Sequence, residues 1–143
     1  MADLDIQELG RKKRYLRRYK KNLAQLERLE NRLANLDDRL YGLRSPVISD
    51  MPKGGGSRVT QAELLSDKIN LENRINSLVE KGRRIKGEIL EKIDTLENSL
   101  HSEILESFFI DCKTIPEIAE DLDYSERHIA RLYSEAIASL DIE

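Results

Sequence analysis

Residues 114–140 read TIPEIAEDLDYSERHIARLYSEAIASL, and the spacing of their apolar side chains decides the fold. Ile115, Ile118, Ala119 and Leu122 fall on one face of a short helix. Ile129, Leu132, Tyr133, Ala136, Ile137 and Leu140 fall on one face of a longer one, and the joint between the two predicts a helix-turn-helix. The ends of both helices are written in side-chain chemistry. Thr114 and Glu117 form a T-x-x-E capping box, with Pro116 in the first turn where its missing N–H costs nothing. Ser125 is a natural N-cap for the second helix. Asp123 occupies the turn position usually given to Gly, and Asp tolerates the left-handed backbone needed there at some cost. Ala119 is small where the helices cross, and Ile129 anchors the second helix against it.

With the preceding Ile104, Leu105, Phe108 and Phe109, the last forty or so residues resemble the C-terminal DNA-binding region of bacterial sigma factors. They resemble more closely the ArpU and RinA type of phage late-transcription regulators. The shared pattern is an apolar helix followed by T-x-x-E-I-A-x-x-L-x-x-S and a second amphipathic helix. This resemblance implies that the second helix enters the major groove of double-stranded DNA with its N-terminal turn forward. Arg127, His128 and Arg131 then become the candidates for base or phosphate contact. Glu126 is placed to accept from a cytosine amino group, and Ser125 to donate to a phosphate while also capping.

Charge complicates that expectation. The net charge of −3 conceals a gradient: residues 1–44 hold twelve Lys or Arg against seven Asp or Glu, whereas residues 105–143 hold three against ten. Nonspecific DNA affinity comes mostly from basic side chains displacing counterions from phosphates, so the acidic C-terminal region by itself is expected to bind DNA feebly. The missing cations lie in residues 11–21, RKKRYLRRYKK, where Arg11, Lys12, Lys13, Arg14, Arg17, Arg18, Lys20 and Lys21 interleave with Tyr15 and Tyr19. Such a run suits contact with phosphates or with an anionic partner, or a solvated helix face. Leu16 and Tyr19 belong to a packing stripe, so the aromatics read as core.

That stripe, at residues 9, 16, 19, 23, 26, 29, 33, 36, 40 and 43, predicts one long helix over residues 5–44 with a stammer at 23, 26 and 29. It needs a partner helix. Residues 45–58, SPVISDMPKGGGSR, carry two prolines and three consecutive glycines and predict a flexible tip over 45–59. Lys53 stands beside this glycine run, but the G-x-x-x-x-G-K-[ST] order of a phosphate loop is absent. Thr60 and Glu63 form a second T-x-x-E box, and a stripe from residue 65 to 100 predicts a second long helix. Gly82 and Gly87 within it suggest a bend or close packing. Folding residues 5–44 back on 60–100 sets residue 16 opposite about residue 88. The basic run thereby shares one end of the hairpin with Arg83, Arg84 and Lys86.

The fold class is all-α: a long antiparallel helical hairpin, coiled-coil-like, over residues 1–100, then a tri-helical helix-turn-helix unit over 101–143. Asn98, Ser99 and Ser102 mark the joint, as residues able to cap a new helix. The stripe is satisfied within the hairpin or by a second copy, as a homodimer on paired half-sites requires. The basic run either supplies phosphate affinity to the reader or pairs with the acidic C-terminal unit and masks it. Alternatively, the acidic face contacts a basic partner such as RNA polymerase, and the chain is a coiled-coil adaptor without DNA specificity.

Other classes find little in the 143 residues. The longest apolar run, residues 108–110, cannot span a bilayer, and the acidic opening MADLDIQELG lacks the pattern of an export signal, so a cytoplasmic protein is expected. Cys112 is the only cysteine. It reads as a small apolar filler beside Phe108 and Phe109. His101 and His128 have no metal-ligand spacing with it, so neither metal nor cofactor is expected. No nucleophile and base converge in the sequence, so no enzymatic role is expected.

Overall fold

The computed structural model describes residues 2–44 and 56–143. Six helices follow one another: α1 (Ala2–Leu16), α2 (Arg18–Arg44), α3 (Gly56–Ile93), α4 (Ser99–Phe109), α5 (Ile115–Leu122) and α6 (Glu126–Ser139). The all-helical plan is thus as expected: α2 and α3 are a long packed pair, and α4, α5 and α6 pack together after it. Among the described residues, no helix is long and apolar enough to cross a membrane.

The first long helix is interrupted at Arg17, which separates α1 from α2. The backbone ladder persists across it, with Arg17 N–H donating to the Lys13 carbonyl and Lys21 N–H to the Arg17 carbonyl, each at 2.9 Å. Helix α3 begins at Gly56, so Thr60 lies inside it and the second T-x-x-E box does not mark its start. Gly and Ser are compatible with a first turn, whose N–H groups lack intrahelical partners in any case. Residues 45–55 of the expected tip lie outside the described residues.

At its far end α3 stops at Ile93, earlier than the stripe to residue 100 suggested. The Thr95 hydroxyl donates to the Lys92 carbonyl at 2.6 Å, closing the helix end. Asn98 then opens α4, its side-chain oxygen accepting from the N–H groups of Leu100 and His101. Apolar periodicity continued through this corner because Leu96 and Leu100 both pack, the first against the core under α6 and the second against that under α5.

The chain forms two compact units. One comprises the N-terminal residues through Leu23 together with Gly82–Glu143; the other is Ala24–Lys81. In the second unit, Leu29, Leu36 and Leu40 of α2 meet Leu64 and Leu71 of α3. Leu64, not Leu65, leads the buried seam, and Lys68 pairs with Asp37 at 2.9 Å across it. In the first unit, Leu16 packs with Ile85 and Ile89, and Arg18 pairs with Glu88 at 3.0 Å, which is the register that sets residue 16 opposite about 88.

This first unit holds two cores. Ile104, Ile118, Ala119, Ile129 and Leu132 join α4, α5 and α6, with Ala119 and Ile129 buried in the same core. Leu16, Ile93, Leu105, Phe109, Ala136, Ile137 and Leu140 join α1 and the end of α3 to α4 and α6. Phe109 has no exposed surface, and truncating such a side chain to Ala costs about 3–5 kcal/mol.

The two glycines of α3 differ. A methyl group on Gly82 would collide with the side-chain amide of Asn22, itself buried, whereas one on Gly87 meets open space. Close packing explains the first only. Gly87→Ala should stabilise the fold by about 0.5–1 kcal/mol through helix propensity. Gly82→Ala should lose that gain and destabilise by about 1 kcal/mol, since the buried amide must move. Thermal unfolding of both variants checks the opposite signs.

Candidate nucleic-acid interface

Local chemistry fixes both helices of the motif. The Thr114 side chain accepts from Glu117 N–H at 3.3 Å, and the Glu117 carboxylate accepts from Thr114 N–H at 3.3 Å. Asp123 ends α5 in the left-handed conformation, with φ 59° and ψ 40°, and its N–H turns back to the carbonyls of Ala119 and Glu120. Ser125 then caps α6, accepting from His128 N–H at 3.1 Å. An N-cap of this kind contributes about 1 kcal/mol and leaves the remaining N–H groups of the first turn pointing outward.

Helix α6 buries one face along its whole length. Its opposite face, carrying Arg127, Ala130, Arg131 and Ser134, is exposed. Glu126 and Ser125 are exposed as well. His128 is half-buried, its ring 4.9 Å from that of Tyr124, and its Nδ1 lies 2.9 Å from an Arg131 guanidinium nitrogen. Arg131 also lies 3.8 Å from Glu135, whose carboxylate stands 3.6 Å from Nε2 of the buried His101 on α4. Ser125, Glu126, Arg127, His128 and Arg131 therefore form one connected surface at the start of α6.

Two features of this surface escaped sequence reasoning. Tyr124, in the turn, is exposed and lies against His128. Ala130 and Ser134 follow Arg127 at helical spacing, and their small side chains leave the middle of the exposed face low. Their positions three and seven residues after Arg127 were the available signal.

The basic run is divided by its contacts. Lys12 is buried and donates to the Ala138 carbonyl at 3.0 Å, closing the C-terminal end of α6, where the helix dipole favours a cation. Arg11 pairs with Glu8 at 2.7 Å and with Glu143 at 3.2 Å, and its hydrogen bond holds the Glu8 carboxyl below its ordinary range. Arg18 pairs with Glu88. Lys20 lies 3.8 Å from the Phe108 ring centre, and desolvation there pushes its ammonium down. Lys13 lies 5.9 Å from the Tyr133 ring centre. Burial pushes the Tyr133 phenol up, and neighbouring Arg17 pulls the other way. Arg14, Arg17 and Lys21 keep exposed side chains. The run therefore meets the C-terminal helices through a backbone carbonyl, a terminal Glu and aromatic rings, while Glu117, Glu120, Asp121 and Asp123 remain exposed.

Cys112 differs from expectation: it is exposed, with φ 59° in the turn after α4. The reversal needed to bring α5 under α4 places its side chain outside the core that Phe109 and Ile110 fill. Among the described residues, no group of three or more His, Cys, Asp or Glu side chains converges to hold a metal ion.

No protein-family model, no curated protein and no solved structure matches the chain.

Replacing Ser125 by Ala should destabilise the protein by about 1 kcal/mol, and Ser125→Asp should restore most of it. Replacing Lys12 by Met should cost about 1–2 kcal/mol, because the Ala138 carbonyl loses its partner. Denaturant unfolding of the three variants measures both.

Proposed function

We propose that the chain is a DNA-binding transcriptional regulator whose helix α6 reads the major groove of double-stranded DNA, acting in the cytoplasm. The resemblance of residues 104–140 to the ArpU and RinA type makes a phage or prophage activator of late genes the specific reading. The observation that carries it is the presentation of α6: capped at Ser125, buried along one face, and exposed at Arg127, Ala130, Arg131 and Ser134. Arg127 and Arg131 are one helical turn apart, the spacing that lets two guanidinium groups address neighbouring bases. Ala130 between them lets the helix approach closely.

Phosphate affinity comes from elsewhere in the same unit. Lys13 and Arg17 flank α6 at Tyr133, and Arg14 and Lys21 stand exposed on the same basic run. This division, in which backbone contacts position and base contacts specify, is the ordinary economy of DNA recognition. The acidic surface of α5 favours a second reading, in which the motif docks on a basic protein surface such as one on RNA polymerase.

Selection of bound duplexes from randomised DNA by the full-length chain should enrich a defined site. Arg127→Ala and Arg131→Ala should each weaken that site by about 1–3 kcal/mol while leaving random DNA almost unaffected. Exchanging Arg14, Arg17 and Lys21 for Gln should weaken all sequences alike and flatten the salt dependence. Absence of enrichment, together with unchanged binding in both sets of variants, rules the reading out.

A further inference from the structure

The second unit, Ala24–Lys81, carries charged rows on opposite sides of its leucine seam, and they are treated differently. On one side, Asp37, Lys68 and Glu72 satisfy one another, at 2.9 Å and 4.0 Å. On the other, Arg28, Arg32 and Arg39 of α2 face Arg74 and Lys81 of α3 across a groove. All five are exposed, and among the described residues none of them forms an ion pair. Among the described residues that line this groove, Asp67 is the single acidic one.

The floor of the groove is apolar and periodic. Leu29 and Leu36 supply it from α2, Leu71 and Leu78 from α3, each pair seven residues apart. The rim repeats with the same interval, at Arg32 and Arg39 and at Arg74 and Lys81. Seven residues is about 10 Å along a helix. Leucines and flanking charges that recur together every heptad are what a further helix needs in order to pack along a coiled-coil pair.

We propose that this groove docks an amphipathic helix of a protein partner, with apolar residues at heptad spacing and Asp or Glu on both flanks. Unpaired cations on both rims choose the sign of the occupant's flanks. The leucine floor separates it from nucleic acid, whose phosphates have no use for one. A two-fold related copy would set the same cation rows against each other, which repulsion opposes. Most of the floor is already covered by α2 and α3, so the rim carries much of the interaction and binding is salt-sensitive. The proposal stands independently of whether α6 reads DNA.

The test uses the full-length chain and a labelled four-heptad peptide with Leu at a and d and Glu at e and g, which repels itself at neutral pH. Anisotropy should report binding that weakens at least tenfold when Arg32 or Arg74 is changed to Glu, and again when salt is raised from about 50 to 500 mM. Arg74→Gln, which cannot repel the peptide, should give an intermediate loss, with helicity by circular dichroism unchanged. A scrambled peptide of the same composition should bind at least tenfold more weakly. Equal binding of the scrambled peptide, unaltered binding by the charge-reversal variants, or displacement of the peptide by a random DNA duplex would overturn the proposal, the last assigning the groove to nucleic acid.

Discussion

Helix α6 is buried twice along one face, against two different sets of neighbours. Its first half presses Ile129 and Leu132 onto α4 and α5, and its second half presses Ala136 and Ile137, continued by Leu140, onto α1, α3 and the later residues of α4. A helix held by one short core can roll within it; one held by two cores in succession cannot, because rolling would expose apolar side chains at both. Its two ends are fixed as well, by the Ser125 cap and by Lys12 on the Ala138 carbonyl. What remains free is the single face of Arg127, Ala130, Arg131 and Ser134.

The aromatic side chains on the flank of α6 extend that constraint to the basic run. Phe108, Phe109 and Tyr133 contact one another with ring centres 4.8–5.9 Å apart, and Lys20 and Lys13 lie over them. Cation–π contact lets an ammonium group rest on an apolar surface without a carboxylate partner, at about 0.5–2 kcal/mol for each favourable case. The basic residues of α1 and early α2 thus reach α6 while the acids of α5 stay exposed. A motif whose charged residues are mostly acidic acquires cationic neighbours, while its own acids are engaged locally where they are engaged at all, Asp121 by Lys113 at 2.7 Å and Glu117 by the Thr114 cap.

The hairpin distributes its charges by a different rule. Asp37, Lys68 and Glu72 pair with one another on one side, while among the described residues the basic rows on the other side form no ion pair. Surface ion pairs contribute little to stability, so neither arrangement is needed to hold α2 against α3. The leucine seam does that. The asymmetry is therefore open to a role in recognition.

The sequence by itself determined the helices of the C-terminal unit, because their signals are local: a capping box at Thr114, a cap at Ser125 and a left-handed Asp123 each depend on neighbours a few residues away. It also indicated the antiparallel register, since folding residues 5–44 back on 60–100 about a tip rich in proline and glycine sets residue 16 opposite about residue 88. Only the tertiary structure decided where α3 stops, because Leu96 and Leu100 keep apolar spacing through the corner while packing into different cores. It decided too that Cys112 lies outside, and that Lys12 closes a helix while Arg17 reaches Tyr133 and Arg14 and Lys21 stay exposed. Eight cations in eleven residues look alike on a linear chain. What sets Lys12, Lys13, Arg18 and Lys20 apart is distance to a carbonyl, a carboxylate or a ring brought from more than sixty residues away, and no local pattern encodes that.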